Sequence, residues 1–165
     1  MVRKVGVLAL QGNYIQHKRM LDNLGLNNIL VQYPRELEKC DLLIIPGGES
    51  TTISKLIDRN KFRKSIMNFA QINSVFGTCA GMILLSSTKE ANNLKPLGVM
   101  DFKAERNAYG RQVNSFSGNL HLEFDNSNNF KALFIRSPKV SNLGKGIKIL
   151  ATYKKEPVMI SDGRH

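Results

Sequence analysis

Val75-Phe76-Gly77-Thr78-Cys79-Ala80-Gly81-Met82-Ile83-Leu84-Leu85 decides how this chain is read. The stretch predicts a short buried strand, a sharp Gly-x-Cys-x-Gly turn and then an apolar helix. Gly77 and Gly81 let the backbone turn tightly without a Cβ clash, which lifts the central side chain to the tip. A cysteine there sits over a helix N-terminus, where the dipole and free N–H groups favour thiolate over thiol. That is the geometry of a nucleophile elbow carrying sulfur. The same residues would also suit a small buried cysteine, the role most free cysteines play. The rest of the chain has to choose between the two.

Upstream, Phe62, Ile66, Phe69 and Ala70 mark a helix that delivers the chain to this strand. Before it, Leu42-Leu43-Ile44-Ile45 reads as a strand broken by Pro46-Gly47-Gly48, with Ser50, Thr51 and Thr52 as caps of a helix through about Asp58. Asn28 to Gln32 is another strand. The apolar run Lys4 to Leu10 suits a central parallel strand covered on both faces, and Gln11-Gly12 ends it. Tyr14, His17, Leu21 and Leu24 recur at helical spacing, with Gly25 as the stop. Strands alternating with helices predict an α/β fold, a doubly wound and mostly parallel sheet flanked by helices in the flavodoxin-like manner. Such folds bind ligands at the carboxyl ends of their strands. Three turns fall there: Gln11-Gly12, Gly47-Gly48-Glu49-Ser50 and Thr78-Cys79-Ala80.

Downstream of Leu94 the pattern changes to antiparallel strands. Asn119 to Phe124 alternates with period two, and Lys131–Ile135, Ile147–Thr152 and Pro157–Ile160 follow. Residues 1–165 are expected to form a single domain. Ser161-Asp162-Gly163 is a hairpin-turn signal, yet the sequence stops at His165 with no return strand, so the chain reads as cut short.

Composition narrows the function classes. Apolar residues make up 42% of the chain, and no run approaches membrane-spanning length. The formal charge is +11, but the lysines and arginines are scattered singly among asparagines, which argues against a nucleic-acid surface. An acidic protein partner or simple compositional bias accounts for the charge better. Two cysteines, Cys40 and Cys79, are too few for a disulfide scaffold, and a cytoplasmic location is expected. No lysine follows Gly47-Gly48 at P-loop spacing, so phosphate binding is disfavoured. The glycines can offer bare N–H groups to an oxyanion together with the N–H of Ala80, or they can simply serve a turn.

Several motifs occur in order: Gly6-Val7-Leu8-Ala9-Leu10-Gln11-Gly12, Pro46-Gly47-Gly48-Glu49-Ser50-Thr51-Thr52, Gly77-Thr78-Cys79-Ala80-Gly81, Arg106-Asn107-Ala108-Tyr109-Gly110-Arg111-Gln112 and Phe134-Ile135-Arg136-Ser137-Pro138. Together they resemble the glutaminase subunit of pyridoxal 5′-phosphate synthase, the PdxT/SNO family of class I glutamine amidotransferases. The resemblance runs from the first strand to the last residue. It implies hydrolysis of L-glutamine to glutamate and ammonia, with the ammonia passed to a synthase subunit in a large hetero-oligomer. No cofactor and no metal is implied.

By the same resemblance, Cys79 would be the nucleophile that forms a glutamyl thioester, and Gly48 and Ala80 would supply oxyanion donors. Gly47, Gly48, Glu49, Arg106, Ile135 and Arg136 would hold the substrate, Arg136 through either its side chain or its backbone. An arginine suits the substrate carboxylate, while carbonyls and a glutamate suit its ammonium. Gln11 would face the partner, and His17, from its place on the first helix, is expected either to face the partner too or to be half-buried. The family completes its triad with a Phe-His-Pro-Glu segment after the final hairpin, and a terminal helix follows. That segment does not occur in the sequence, so the last strand and C-terminal helix are expected to be missing. Three readings stay open at this point: a glutaminase subunit, a non-catalytic relative that keeps only partner binding, and a DJ-1-like elbow-cysteine protein.

Overall fold

The computed structural model describes residues 4–89, 94–106, 115–135 and 138–165. Four short strands, β1 (Val5–Leu8), β2 (Asn28–Val31), β3 (Leu42–Ile45) and β4 (Ser74–Gly77), pair in parallel in the order β2-β1-β3-β4. Four helices connect or follow them: α1 (Tyr14–Asn23), α2 (Ser50–Arg59), α3 (Phe62–Ile72) and α4 (Ala80–Leu85). A 3₁₀ turn at Pro34–Lys39 leads into β3.

Alternation along the strands sorts their side chains onto two faces. Val5, Val7 and Ile44 pack with Leu21 and Tyr14 of α1. Leu8, Leu43, Ile45 and Val75 point the other way, into the larger core with Ile53, Ile57, Phe62 and Ile66 of α2 and α3. The sheet is therefore covered on both sides, as the unbroken apolar runs predict. Each fully buried Leu or Ile contributes roughly 1.5–3 kcal/mol relative to exposure. Gly6 on β1 is where Cys40 packs, since a Cβ there would lie 2.8 Å from Cys40 Sγ and 2.8 Å from Val31 Cγ2.

Two local expectations are corrected. The N-cap of α2 is Glu49, whose carboxylate accepts the N–H groups of Thr51 (3.1 Å) and Thr52 (2.7 Å). Ser50, expected among the caps, is already helical and buried. The apolar stripe of α1 ends at Leu21. Leu24 caps the helix and is exposed, although Gly25 (φ +67°) does stop it.

The C-terminal half builds a second sheet of antiparallel strands, β6 (Phe116–Leu122), β7 (Asp125–Phe134), β9 (Lys148–Tyr153) and β10 (Glu156–Ser161), in the order β10-β9-β6-β7. A two-stranded ribbon pairs β5 (Lys103–Glu105) with β8 (Lys139–Ser141). The predicted strand Asn119–Phe124 is shifted toward the N-terminus. It begins at Phe116 and stops at Leu122, because Glu123 and Phe124 form the turn into β7. Phe116 stacks on Phe134 (centroids 4.9 Å apart), with Tyr153 against both.

After β10 the turn at Ser161–Gly163 forms, with Gly163 at φ +93° and Asp162 Oδ1 accepting the N–H groups of Arg164 and His165. It carries the chain to the edge of β4, where His165 Nδ1 accepts the Val75 N–H at 3.1 Å and Arg164 donates to the Gln71 carbonyl. No helix among the described residues is long and apolar enough to cross a membrane.

Candidate active site

Three adjacent strand ends, those of β1, β3 and β4, supply the loops of the site. The β4 loop is the most constrained. Cys79 has φ 50° and ψ −105°, a left-handed conformation that a non-glycine residue adopts only when its surroundings hold it there. On one side the Thr78 N–H donates to the Ile45 carbonyl (3.1 Å), and on the other the Thr78 carbonyl accepts the Gly81 N–H (2.8 Å). Helix α4 then seats backbone-on-backbone against the sheet. A Cβ at Gly81 would fall 2.0 Å from the Ile45 carbonyl oxygen, and one at Gly77 2.6 Å from the Gly81 carbonyl carbon. The Cys79 side chain is left exposed, whereas Cys40 is buried with its thiol donating to the Glu36 carbonyl. Burial pushes the Cys40 pKa up. The description of a small buried cysteine thus fits Cys40, not Cys79.

The glycine loop after β3 comes to the same place. A Cβ on Gly47 would lie 3.3 Å from Cys79 Cβ, a tight contact that glycine avoids. The loop is held from the β1 side at two points. Gly12, at φ +95°, runs so close that a Cβ would meet the Gly47 oxygen at 2.0 Å, and the next N–H, that of Asn13, donates to that oxygen at 2.9 Å. The side chain of Gln11 reaches across, its Oε1 accepting the Glu49 N–H at 3.1 Å. The N–H groups of Gly48 and Ala80 have no acceptor among the described residues. For Ala80, the first residue of α4, helix geometry provides none.

Glu49 and Arg106 are brought together as a pair. Besides capping α2, the Glu49 carboxylate accepts the Thr52 hydroxyl (2.7 Å) and an Arg106 guanidinium N–H (3.2 Å). A second Arg106 nitrogen donates to Thr51 Oγ1 (3.3 Å). Partial desolvation raises the Glu49 pKa, but the hydrogen bonds from Thr52 and Thr51 outweigh it and bring it down to about 2. The carboxylate expected to meet a substrate ammonium is here committed to the helix and the arginine.

His17 projects from α1 to the elbow, its Nε2 3.1 Å from Thr78 Oγ1, and burial lowers its pKa. The sequence reading missed this contact. The inward stripe Tyr14, His17, Leu21 carried the signal, since it puts His17 on the face of α1 turned to the sheet. Ile135 is exposed just past β7, and among the described residues no hydrogen bond joins it to the Cys79 loop. Arg136 lies outside the described residues, as do Asn107 to Gln112 of the arginine motif.

With this geometry in place, comparison with known proteins is decisive. Residues 7–163 match the SNO glutamine amidotransferase family. This chain belongs to that family. It is 46% identical over 161 residues to the pyridoxal 5′-phosphate synthase subunit PdxT of Thermosipho africanus, spanning 95% of this chain and 84% of the relative. A solved glutamine amidotransferase superposes with a TM-score of 0.87 at 39% identity, covering 97% of this chain and 85% of the other. A glutamine amidotransferase of Thermotoga maritima, at 12% identity and a TM-score of 0.54 over 93% of this chain and 68% of its own, shares the fold. Membership in the SNO family removes the DJ-1-like alternative, and the fold is the class I glutamine amidotransferase type, a parallel four-stranded sheet with antiparallel additions.

Proposed function

We propose that this chain is the glutaminase of a pyridoxal 5′-phosphate synthase and that Cys79 is its nucleophile. The thiolate sulfur attacks the side-chain amide carbon of L-glutamine. Negative charge builds on the amide oxygen, where the N–H groups of Gly48 and Ala80 can receive it. The C–N bond then breaks, the nitrogen leaves as ammonia with an added proton, and a glutamyl thioester remains. Water cleaves the thioester, releasing glutamate and regenerating the thiolate. In the family the proton transfers belong to the histidine of the Phe-His-Pro-Glu segment, which is not among these 165 residues.

Gly47, Gly48 and Glu49 with Arg106 form the substrate-holding wall. Arg106 meets the substrate carboxylate, and Ile135 and Arg136 match positions that hold the substrate in the family. The ammonia supplies pyridoxal 5′-phosphate synthesis on a partner synthase subunit, in a large cytoplasmic hetero-oligomer whose contact surface includes Gln11. Relatives at 40–46% identity carry the name of that synthase's PdxT subunit, which supports the partner and the pathway.

One observation carries the catalytic reading: a strained, exposed cysteine faces a glycine loop so closely that a Cβ added at Gly47 would lie 3.3 Å from the Cys79 Cβ. The test is ammonia release from glutamine by the protein in complex with its synthase, wild type against Cys79→Ser. Loss on the order of 10³-fold or more is expected, as for other removed nucleophiles. Retained turnover in the serine variant would refute the assignment.

A further inference from the structure

Helix α1 touches both halves of the site. Its N-cap residue, Asn13, holds the Gly47 carbonyl through its N–H at 2.9 Å. Four residues on, on the same face of the helix, His17 holds the Thr78 side chain at 3.1 Å. One helical turn thus spans from the glycine loop to the cysteine loop.

The backbone of Thr78 is already committed, its N–H to Ile45 and its carbonyl to Gly81. What remains is its side chain, which His17 meets. The Oγ1 lies 4.0 Å from where a Gly47 Cβ would be, so the hydroxyl sits in the seam between the loops. A half-buried hydroxyl without a partner costs more than a solvated one. The imidazole of His17 meets that need and wedges against the residue that immediately precedes the left-handed Cys79.

We propose that His17 is a positioning residue for the nucleophile: acting through Thr78, it fixes the elbow against the glycine loop so that Cys79 faces a bound glutamine-like substrate. The inference rests on the reading of Cys79 as nucleophile and adds to it a role for α1 beyond packing. His17 does not touch the substrate. It sets the direction from which the sulfur attacks, through the side chain at the base of the turn.

The experiment measures modification of Cys79 in the full chain with its synthase by two electrophiles, each located by peptide mapping. A glutamine-mimicking diazoketone must bind in the site before it reacts, so it reports alignment. Iodoacetamide reacts with any accessible thiol and reports exposure alone. One neutral hydrogen bond corresponds to about three- to tenfold in rate, and His17→Ala and Thr78→Val should each slow diazoketone labelling by that factor. Iodoacetamide labelling should stay within about twofold of wild type, as expected of a thiol whose exposure has not changed. The double variant should be no slower than either single one, because both remove the same contact.

Thr78→Ser, which keeps the hydroxyl, and His17→Gln, whose amide nitrogen can reach the Nε2 position, should both restore the rate. Thr78→Val is close to isosteric and guards against simple misfolding of the alanine variant. Three results overturn the proposal: variants that react like wild type, a double variant in which the two losses multiply, or losses that iodoacetamide shows equally. A wild-type protein that the diazoketone fails to label at Cys79 would overturn the nucleophile assignment itself, and the role of His17 with it. Normal wild-type labelling beside unaffected variants would remove only the role of His17.

Discussion

Replacing Glu49 with glutamine tests whether its carboxylate is a structural clamp on the site. In the structure it accepts two helix N–H groups, the Thr52 hydroxyl and the Arg106 guanidinium. Its pKa is about 2, against an ordinary value of 4.5. At full strength that gap corresponds to about 3 kcal/mol. Half of the side chain faces water, and solvent screening reduces the usable part to about 1 kcal/mol, similar to a typical N-cap. The sign follows from a folded-state pKa that is depressed. The stabilisation is fully present above the unfolded value of about 4.5 and is lost as pH falls through the folded value of about 2.

Urea unfolding of wild type and Glu49→Gln should therefore differ by about 1 kcal/mol near pH 6. By about pH 3 more than half of that difference should have disappeared, because the unfolded carboxyl is then protonated while most of the folded one is not. A gap that stays constant across this range would show that the ionised carboxylate is not what holds the start of α2. Equal stability at pH 6 would mean the clamp contributes nothing measurable.

Other expectations concern single residues. Cys79 should be alkylated well before Cys40 at neutral pH, since burial raises the Cys40 pKa and its thiol is enclosed; peptide mapping that finds Cys40 first would contradict the elbow. Gly12→Ala should lower Tm by at least about 5 °C, from roughly 1–2 kcal/mol of left-handed strain plus a Cβ aimed at the Gly47 oxygen. The same variant should lose diazoketone labelling of Cys79, and an unchanged melting curve would show that the β1 loop does not brace its neighbour. Arg106→Ala should weaken glutamine binding about ten- to a hundredfold, measured by calorimetry in a Cys79→Ser background with the synthase present. Unchanged affinity would take Arg106 out of the substrate wall.

The parallel half of the fold was legible because its signals are local. Leu42–Ile45 is a four-residue apolar run ended by Pro46 and two glycines, and the strand occupies those four residues. The elbow could be read for the same reason, since the two small residues that let α4 sit on the sheet lie within five positions of each other. What escaped the sequence depends on packing between distant segments. His17 and Thr78 are separated by 61 positions, and Arg106 and Glu49 by 57, so no periodicity pairs them. The cap of α2 was misplaced for a subtler reason. Ser50 and Thr51 are better short caps than glutamate by propensity, but the chain at Glu49 is extended, and its longer side chain curls back onto the helix it precedes. The register of the antiparallel half shifted because alternation alone cannot say where the Glu123-Phe124 turn interrupts it.

The close backbone seats at Gly12 and Gly81 bear on how such a site is inherited. Each faces a carbonyl oxygen only 2.0 Å from where a side chain would have to begin. The contact is made by main-chain atoms, so it does not depend on the identity of a side chain at the partner residue. The fold is shared with a glutamine amidotransferase at 12% identity. The two glycines themselves have no neighbouring alternative: alanine, the smallest single step away from either, already collides. Substitution around the cysteine therefore meets its tightest steric limit at those two positions.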